Sequence, residues 1–254
     1  MKYFNSIFIL TLFLIFSCAG SKRDGDLSLQ DKFMEGMNNL NKEKYLQAQI
    51  DFKQIVIRGT GSDLGDDAQY YLAESFFRNK EYLLAVSEYE KLTRRMGFSP
   101  FVEDARFKIC EAYRIESPKF YHDQEYTEKS LQRYQEFLDD FPNSQFLDEV
   151  VLSIESLRNK LGKKLYEAGI LYMKMDEFES AEMAFQRTID LYYDTEILNK
   201  AREGKIKSIS KSGDIEKAFK ILEEFKTNLK TEGLYKDLNS DLNKEKEKRM
   251  KGLK

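Results

Sequence analysis

One spacing recurs along this chain. A small residue is followed twelve positions later by an Ala, and four beyond that by a large apolar residue. Gly36, Ala48 and Phe52 fit it, as do Ala73, Ala85 and Tyr89, and Gly169, Ala181 and Phe185; Ile206, Ala218 and Leu222 fit more loosely. A further large residue falls nine after the first in each set: Tyr45, Tyr82, Phe178 and Ile215. Thirty-seven residues separate Gly36 from Ala73, Ala73 from Cys110, and Gly169 from Ile206. A fixed period in the thirties marks helical hairpins stacked on their neighbours. The small residue and the Ala let the two helices of a hairpin approach closely. The large residue fills the space between successive hairpins. One hairpin cannot bury its apolar face alone, so the units must stack, and a curved stack exposes its first helices on a concave face. The predicted fold class is all-α, a superhelical solenoid of about five hairpins.

The rest of the composition agrees. The chain has 3 prolines and no tryptophan, and Pro100, Pro118 and Pro142 each sit where a helix must stop. No alternating strand pattern with closely spaced turn signals occurs. The 41 basic and 44 acidic residues give a net charge of −3, a balance that argues against a nucleic-acid footprint, which needs a basic face. The charges are spread along the helices and read as a solvated surface. Two cysteines are too few for a disulfide framework. Cys110 takes a small-residue position and reads as a buried small hydrophobe.

Cys18 has a different explanation. Lys2 precedes an apolar run, Ile7 to Phe16, broken only by Thr11. Such a run is too short to span a bilayer and suits the core of a secretion signal. It ends Ile15-Phe16-Ser17-Cys18-Ala19-Gly20, which resembles the bacterial lipobox: an aliphatic residue, then a small residue directly before the cysteine that is lipidated. Residues 1–17 are therefore expected to be a lipoprotein signal peptide, and Cys18 the site of a covalent lipid. An ordinary signal peptide with an incidental cysteine is the alternative. Each buried CH₂ contributes about 0.8 kcal/mol, so two or more acyl chains anchor stably. Residues 18–28 read as the lipidated cysteine and a flexible tether. No later apolar run is long enough to cross a membrane.

Unit one runs from Leu29 to Ile57 and unit two from Asp66 to Met96. Unit three begins at Val102 and is interrupted: Cys110 and Ser130 stand 20 apart rather than 12, which places eight inserted residues between Glu116 and Glu125. Its second helix carries Ser130, Tyr134 and Phe137 and stops at Phe141-Pro142. Unit four opens with an unusually long helix, apolar at Phe146, Val150, Ile154, Leu157, Leu161, Leu165, Ala168 and Tyr172. Gly162 and Gly169 are tolerated within it at some cost. Unit five runs from Leu198 to Phe225. The expected organisation is 29–142 for repeats one to three, 143–226 for the long linking helix with repeats four and five, and 227–254 for a charged tail. That tail holds only Leu234, Leu238 and Leu242 at spaced positions and reads as a frayed or disordered helix.

The repeat resembles the tetratricopeptide repeat, lacking its tryptophan and most helix-ending prolines. A narrower likeness comes from particular stretches. Tyr134-Gln135-Glu136-Phe137-Leu138-Asp139-Asp140-Phe141-Pro142-Asn143-Ser144-Gln145-Phe146 resembles the end of the third repeat in the BamD family of outer-membrane assembly lipoproteins. So does Leu157-Arg158-Asn159-Lys160-Leu161 with its continuation to Tyr166 and Glu167, and Ala73 to Asn79 followed by Tyr82 and Ala85. The resemblance covers Leu29 to Phe225. It lapses in the loop Arg58-Gly59-Thr60-Gly61-Ser62, at Tyr193 where a proline is usual, and in the tail. It implies a non-enzymatic subunit of the machinery that folds β-barrel proteins into the outer membrane. The implied location is the outer membrane, lipid-anchored and facing the periplasm, with no cofactor beyond the lipid on Cys18. The implied partners are unfolded outer-membrane β-barrel proteins, a BamA-like insertase and other lipoproteins of the same machinery, with no nucleic acid. A repeat lipoprotein that assists secretin or pilus assembly, or links envelope layers, is the other reading.

Candidate contact residues follow from the repeat register. Stepping by four and three along the first helices selects Tyr70, Glu74, Phe77 and Arg78 in unit two, and Phe107, Glu111 and Arg114 in unit three. Aromatics with arginine suit an extended apolar peptide that ends in a carboxylate. Packing between units is the competing role for Tyr70 and Phe77. The resemblance puts insertase docking around unit five, at Arg202, Lys205, Lys211 and Asp214. His122 is the only histidine and has no metal-ligand pattern beside it. No phosphate-cradling glycine loop or nucleophile elbow occurs. Adjacent carboxylates such as Asp139 and Asp140 diverge on a helix and suit solvent better than acid–base work.

Overall fold

The computed structural model of the chain describes residues 27–59 and 61–252. The expected signal peptide and Cys18 lie outside the described residues. Two compact units meet in sequence at Phe101 and Val102. The first unit holds α1 (Leu29–Asn41), α2 (Tyr45–Arg58), α3 (Gly65–Arg78) and α4 (Tyr82–Arg95). The second holds α5 (Val102–Glu116), α6 (Glu125–Asp140), α7 (Leu147–Lys174), α8 (Phe178–Leu191), α9 (Leu198–Ser212), α10 (Ile215–Glu224), α11 (Lys226–Thr231) and α12 (Leu234–Gly252). Among the described residues there is no strand. Consecutive helices pair as hairpins, α1 with α2, α3 with α4, α5 with α6, α7 with α8 and α9 with α10. Each unit is thus a stack of the expected tetratricopeptide-like hairpins.

The hairpin turns share one device. Glu43, Lys80 and Asp176 stand seven residues after Gly36, Ala73 and Gly169, and all three adopt a left-handed backbone, with φ near 60°. Gly213, seven after Ile206, also has positive φ. The turn lets the next amide reach back to a carbonyl of the finished helix: Lys44 to Asn39 at 2.9 Å, Glu81 to Phe76 at 2.9 Å, Glu177 to Tyr172 at 3.0 Å. Those bonds satisfy carbonyls the helix end would leave open, which offsets a left-handed cost of about 1–2 kcal/mol for a residue with a Cβ.

Close approach of helices explains the small residues. A Cβ on Gly169 would fall 2.6 Å from the Phe185 ring, and one on Gly204 would fall 2.7 Å from it. The fully buried Phe185 ring is therefore lodged between a glycine of α7 in its own hairpin and a glycine of α9 in the next. Gly36 stands to Phe52 in the same relation, at 2.9 Å. This revises two expectations. Gly169 is a packing requirement rather than a tolerated weakness, and the last repeat puts a large core residue, Ile206, at its small-residue position while its Gly204 receives the ring of the preceding hairpin.

The tail departs from the reading as frayed or disordered. It forms α11 and α12, and Leu229, Leu238 and Leu242 are buried against Ile206, Ile209, Ala218 and Leu222. Leu234, Leu238 and Leu242 repeat every four residues, so a helix places them on one stripe. The charges that dominate the composition occupy the other faces. Arg249 fixes the far end by donating from Nη2 to the Ser210 carbonyl at 3.2 Å, at the C-terminus of α9. The long helix α7, at 28 residues, is about 42 Å from end to end.

Two stability measurements check this packing. An overpacking penalty of about 1–3 kcal/mol exceeds the helix-propensity gain of about 1 kcal/mol, so Gly169→Ala should lose about 1 kcal/mol in urea unfolding, and should lose less when introduced into a Phe185→Leu background, where the ring it meets is absent. Leu238→Ala should cost about 2–4 kcal/mol if α12 belongs to the cooperative core; an unchanged unfolding curve would mean that the helix frays independently.

Candidate functional site

The seven residues selected in units two and three fall on α3 and α5, each in its own compact unit. Glu74 and Glu111 stand 37 apart and occupy the same repeat position. Both are buried, 6% and 7% exposed. In the first unit Glu74 accepts from the Tyr89 hydroxyl at 2.7 Å and from Arg78 Nε at 2.7 Å. In the second, Glu111 accepts from the Tyr134 hydroxyl and from Arg114 Nε, the latter at 2.7 Å. Tyr89 and Tyr134 hold the large-residue position of their second helices. A tyrosine there, in place of the phenylalanine at 52 and 185, brings a hydroxyl into the hairpin core that needs a partner. The carboxylate supplies it, and an arginine one turn along the same helix balances the charge.

The electrostatics follow from burial and pairing. Burial and the neighbouring carboxylate drive the Tyr89 and Tyr134 hydroxyls far above the ordinary phenol range, so both stay protonated as donors. Burial alone would raise the Glu111 carboxyl. The hydrogen bonds from Arg114 and Tyr134 outweigh it and hold the group below the ordinary value of 4.5. Burial, with Glu111 beside it, pushes the Cys110 thiol upward, so it is a protonated packing residue rather than a nucleophile.

The register therefore sorts the selected residues into two kinds. Glu74, Glu111 and Phe107 face inward; Phe107 is 5% exposed and stacks on Phe146 with ring centroids 4.2 Å apart. Tyr70 is half-buried and stacks on Phe101 at 4.4 Å, and Phe77 meets Tyr82 edge-on at 5.2 Å. Arg78 and Arg114 keep 45% and 39% of their side chains in solvent. The two guanidiniums are the part of this set best presented to a ligand, held by carboxylates beneath them.

The four positions around the last repeat also divide. Arg202 and Lys205 sit over the Phe225 ring, at 5.1 and 5.9 Å from its centroid. Arg202 bonds Asn199 through Nη1, but its Nε is buried and meets no acceptor among the described residues. Burial holds its guanidinium pKa below the ordinary arginine value. Lys211 is exposed in the last turn of α9, where a cation suits the helix dipole. Asp214 caps α10, accepting from the Lys217 amide at 2.9 Å.

Residue spacing alone did not reveal a cleft of about 810 Å³ in the second unit. The inserted loop gives it Lys119 and Phe120, α7 gives Lys160, Lys163 and Tyr166, and α9 gives Lys200. None of the four lysines is ion-paired among the described residues. Lys160 instead donates to the Ser117 hydroxyl at 2.7 Å, and Lys163 lies over Phe120 at 4.6 Å. The eight-residue insertion was the available signal, since it breaks the spacing within the third hairpin. Among the described residues no cluster of three or more His, Cys, Asp or Glu could hold a metal, and no helix is long and apolar enough to cross a membrane.

A family model named YfiO and described as an outer membrane lipoprotein matches residues 26–176. The chain is 24% identical over 203 residues to the outer membrane protein assembly factor BamD of Rickettsia prowazekii (strain Madrid E), spanning 76% of this chain and 78% of that protein. Similar solved structures include the TPR2AB-domain:pHSP90 complex of yeast Sti1, with TM-score 0.45, 12% identity, and 87% and 95% of the two chains covered. A tetratricopeptide repeat protein from Parabacteroides merdae ATCC 43184 has TM-score 0.37 and 15% identity, with 89% and 76% covered.

The Glu111 network has a pH signature. Its folded pKa lies below the unfolded value, so its stabilisation is present above pH 4.5 and is lost as pH falls through the lower folded value. Glu111→Gln should therefore be less stable than wild type at pH 7, by about 1–3 kcal/mol, and the gap should close below pH 4.5. Parallel denaturation curves across pH check this; a gap that does not change with pH would remove the carboxylate from the account.

Proposed function

The chain belongs to the YfiO family of outer membrane lipoproteins, and from that premise we propose that it is a non-enzymatic scaffold in the assembly of β-barrel proteins into the outer membrane. The observation that carries the reading is the alignment over 76% of the chain with a protein named as an outer membrane protein assembly factor. Solenoids of helical hairpins bind extended partners along their surfaces, and the two units offer such surfaces without a catalytic cluster being needed. The lipid is proposed on Cys18, which would hold the chain to the periplasmic face of the membrane through the short stretch before Leu29.

Substrate contact is proposed at the exposed ends of Arg78 and Arg114, with Tyr70 and Phe77 on the same helix as Arg78 in the first unit. A guanidinium already oriented by a buried carboxylate is a preorganised donor for a peptide carboxylate. Glu74, Glu111 and Phe107 serve as positioning residues beneath that surface. The insertase dock is proposed at the last repeat, around Arg202, Lys205, Lys211 and Asp214. The support is the open donor on Arg202: a buried N–H without an acceptor carries a desolvation cost that an incoming carboxylate or carbonyl would relieve.

The test is purification of the tagged full-length protein from envelopes in mild detergent, with identification of what accompanies it. The expected companion is a BamA-like insertase, depleted severalfold by Arg202→Glu while the protein remains folded. Recovery of a secretin or pilus component in its place would favour the envelope-linking alternative and sink this reading. Cys18→Ala should release the chain from the membrane fraction.

A further inference from the structure

The repeats act as controls for one another, and one of them carries an anomalous outer face. On α2, the outward positions 46, 50, 53 and 57 are all exposed, and they hold Leu46, Ile50, Lys53 and Ile57. Leu46 is 64% exposed and Ile50 50%. The matching positions hold Leu83, Ser87, Glu90 and Arg94 in the second repeat, and Glu179, Met183, Gln186 and Asp190 in the fourth. In the fifth they hold Glu216, Lys220, Glu223 and Thr227, and on α6, allowing for the insertion, Glu128, Gln132, Gln135 and Asp139. Every other repeat therefore places at least one carboxylate on this stripe. The first repeat places none. The only acid of α2, Asp51, is buried and paired with Lys32 at 3.0 Å, while Lys53 and Arg58 remain exposed.

An exposed apolar stripe flanked by cations and free of exposed carboxylates is the pattern of a helix lying in a membrane interface. The chain's direction adds a second observation. Gly59, directly after α2, lies so close to Leu29 that a Cβ on it would meet Leu29 Cδ1 at 3.2 Å. The chain thus enters α1 beside the C-terminal end of this stripe. Leu29 follows Cys18 by eleven positions, a reach of about 36 Å at most.

We propose that the outer face of α2, centred on Leu46, Ile50 and Lys53, rests on the anionic phospholipid surface to which the chain is anchored. The inference rests on the lipid anchor proposed above. A single lipid tether leaves a protein free to swivel. A second, weak contact at the same end would fix which side of the first unit faces the membrane, leaving the other side to partners.

The test uses the full-length lipidated protein on vesicles of phosphatidylethanolamine and phosphatidylglycerol with brominated acyl chains. A fluorescent thiol label is placed at Leu46→Cys, Ile50→Cys or, as control, Glu179→Cys. The native Cys110 is 1% exposed and stays unlabelled. The bromolipids should quench the labels at 46 and 50 severalfold more than the label at 179. Lys53→Glu, or 1 M salt with its Debye length of about 3 Å, should weaken that quenching. The vesicles hold no other protein, so quenching reports lipid alone. Floating protein with equal quenching at all three positions would overturn the proposal. Protein that fails to float with the vesicles would instead overturn the anchor itself, and the face with it.

Discussion

The stacking depends on how closely two helices can come before a side chain stops them. Where the large residue is phenylalanine, the stop is a bare backbone: Phe185 sits on Gly169 and Gly204, and Phe52 on Gly36. An aromatic ring against a glycine is a knob in a hole that no side chain shares, so it fixes both the distance and the register of the pair. The same ring then meets the next hairpin, as Phe52 does Tyr71 at 5.8 Å. Interior packing and stacking between neighbours are thus one contact seen from two sides.

Tyrosine at that position changes the problem. Tyr89 and Tyr134 carry a hydroxyl into a space that Phe185 fills with carbon alone, and the chain answers with Glu74 and Glu111. Removing one member would strand a buried charge or donor, which costs more than the bond itself provides. The exposed tips of Arg78 and Arg114 are set by this arrangement. Two repeats therefore convert a packing position into a means of aiming a cation outward, while the glycine-based repeats do not.

Much of this was legible in the residues. The period of 37 located the hairpins, because small, Ala and aromatic positions follow directly from helix geometry. The break between Cys110 and Ser130 located the insertion, which proved to line a cleft. Three things were harder to read. The left-handed turns at Glu43 and Lys80 use residues with no preference for that conformation, and only Asp176 is of a type enriched in it, so residue type did not announce the shared device. The inward direction of Glu74 and Glu111 depended on a tyrosine on the opposite helix, a pairing across 15 and 23 residues that a one-helix register cannot supply. The helical tail was masked by its charge. Three leucines suffice to seat a helix when a neighbouring hairpin already offers an apolar groove, and composition cannot sense the groove.

The closing helix α12 has a consequence for assembly. A stack of like hairpins ends in a surface shaped to receive another hairpin, and two such chains could join head to tail. That contact is heterologous and does not close, so it would propagate as a fibre. Each such junction needs one open end from each molecule, and Leu229, Leu238 and Leu242 cover the apolar face of the fifth hairpin from within the same chain. The leucines of α11 and α12 thus occupy apolar surface of the fifth hairpin that a further hairpin would otherwise use.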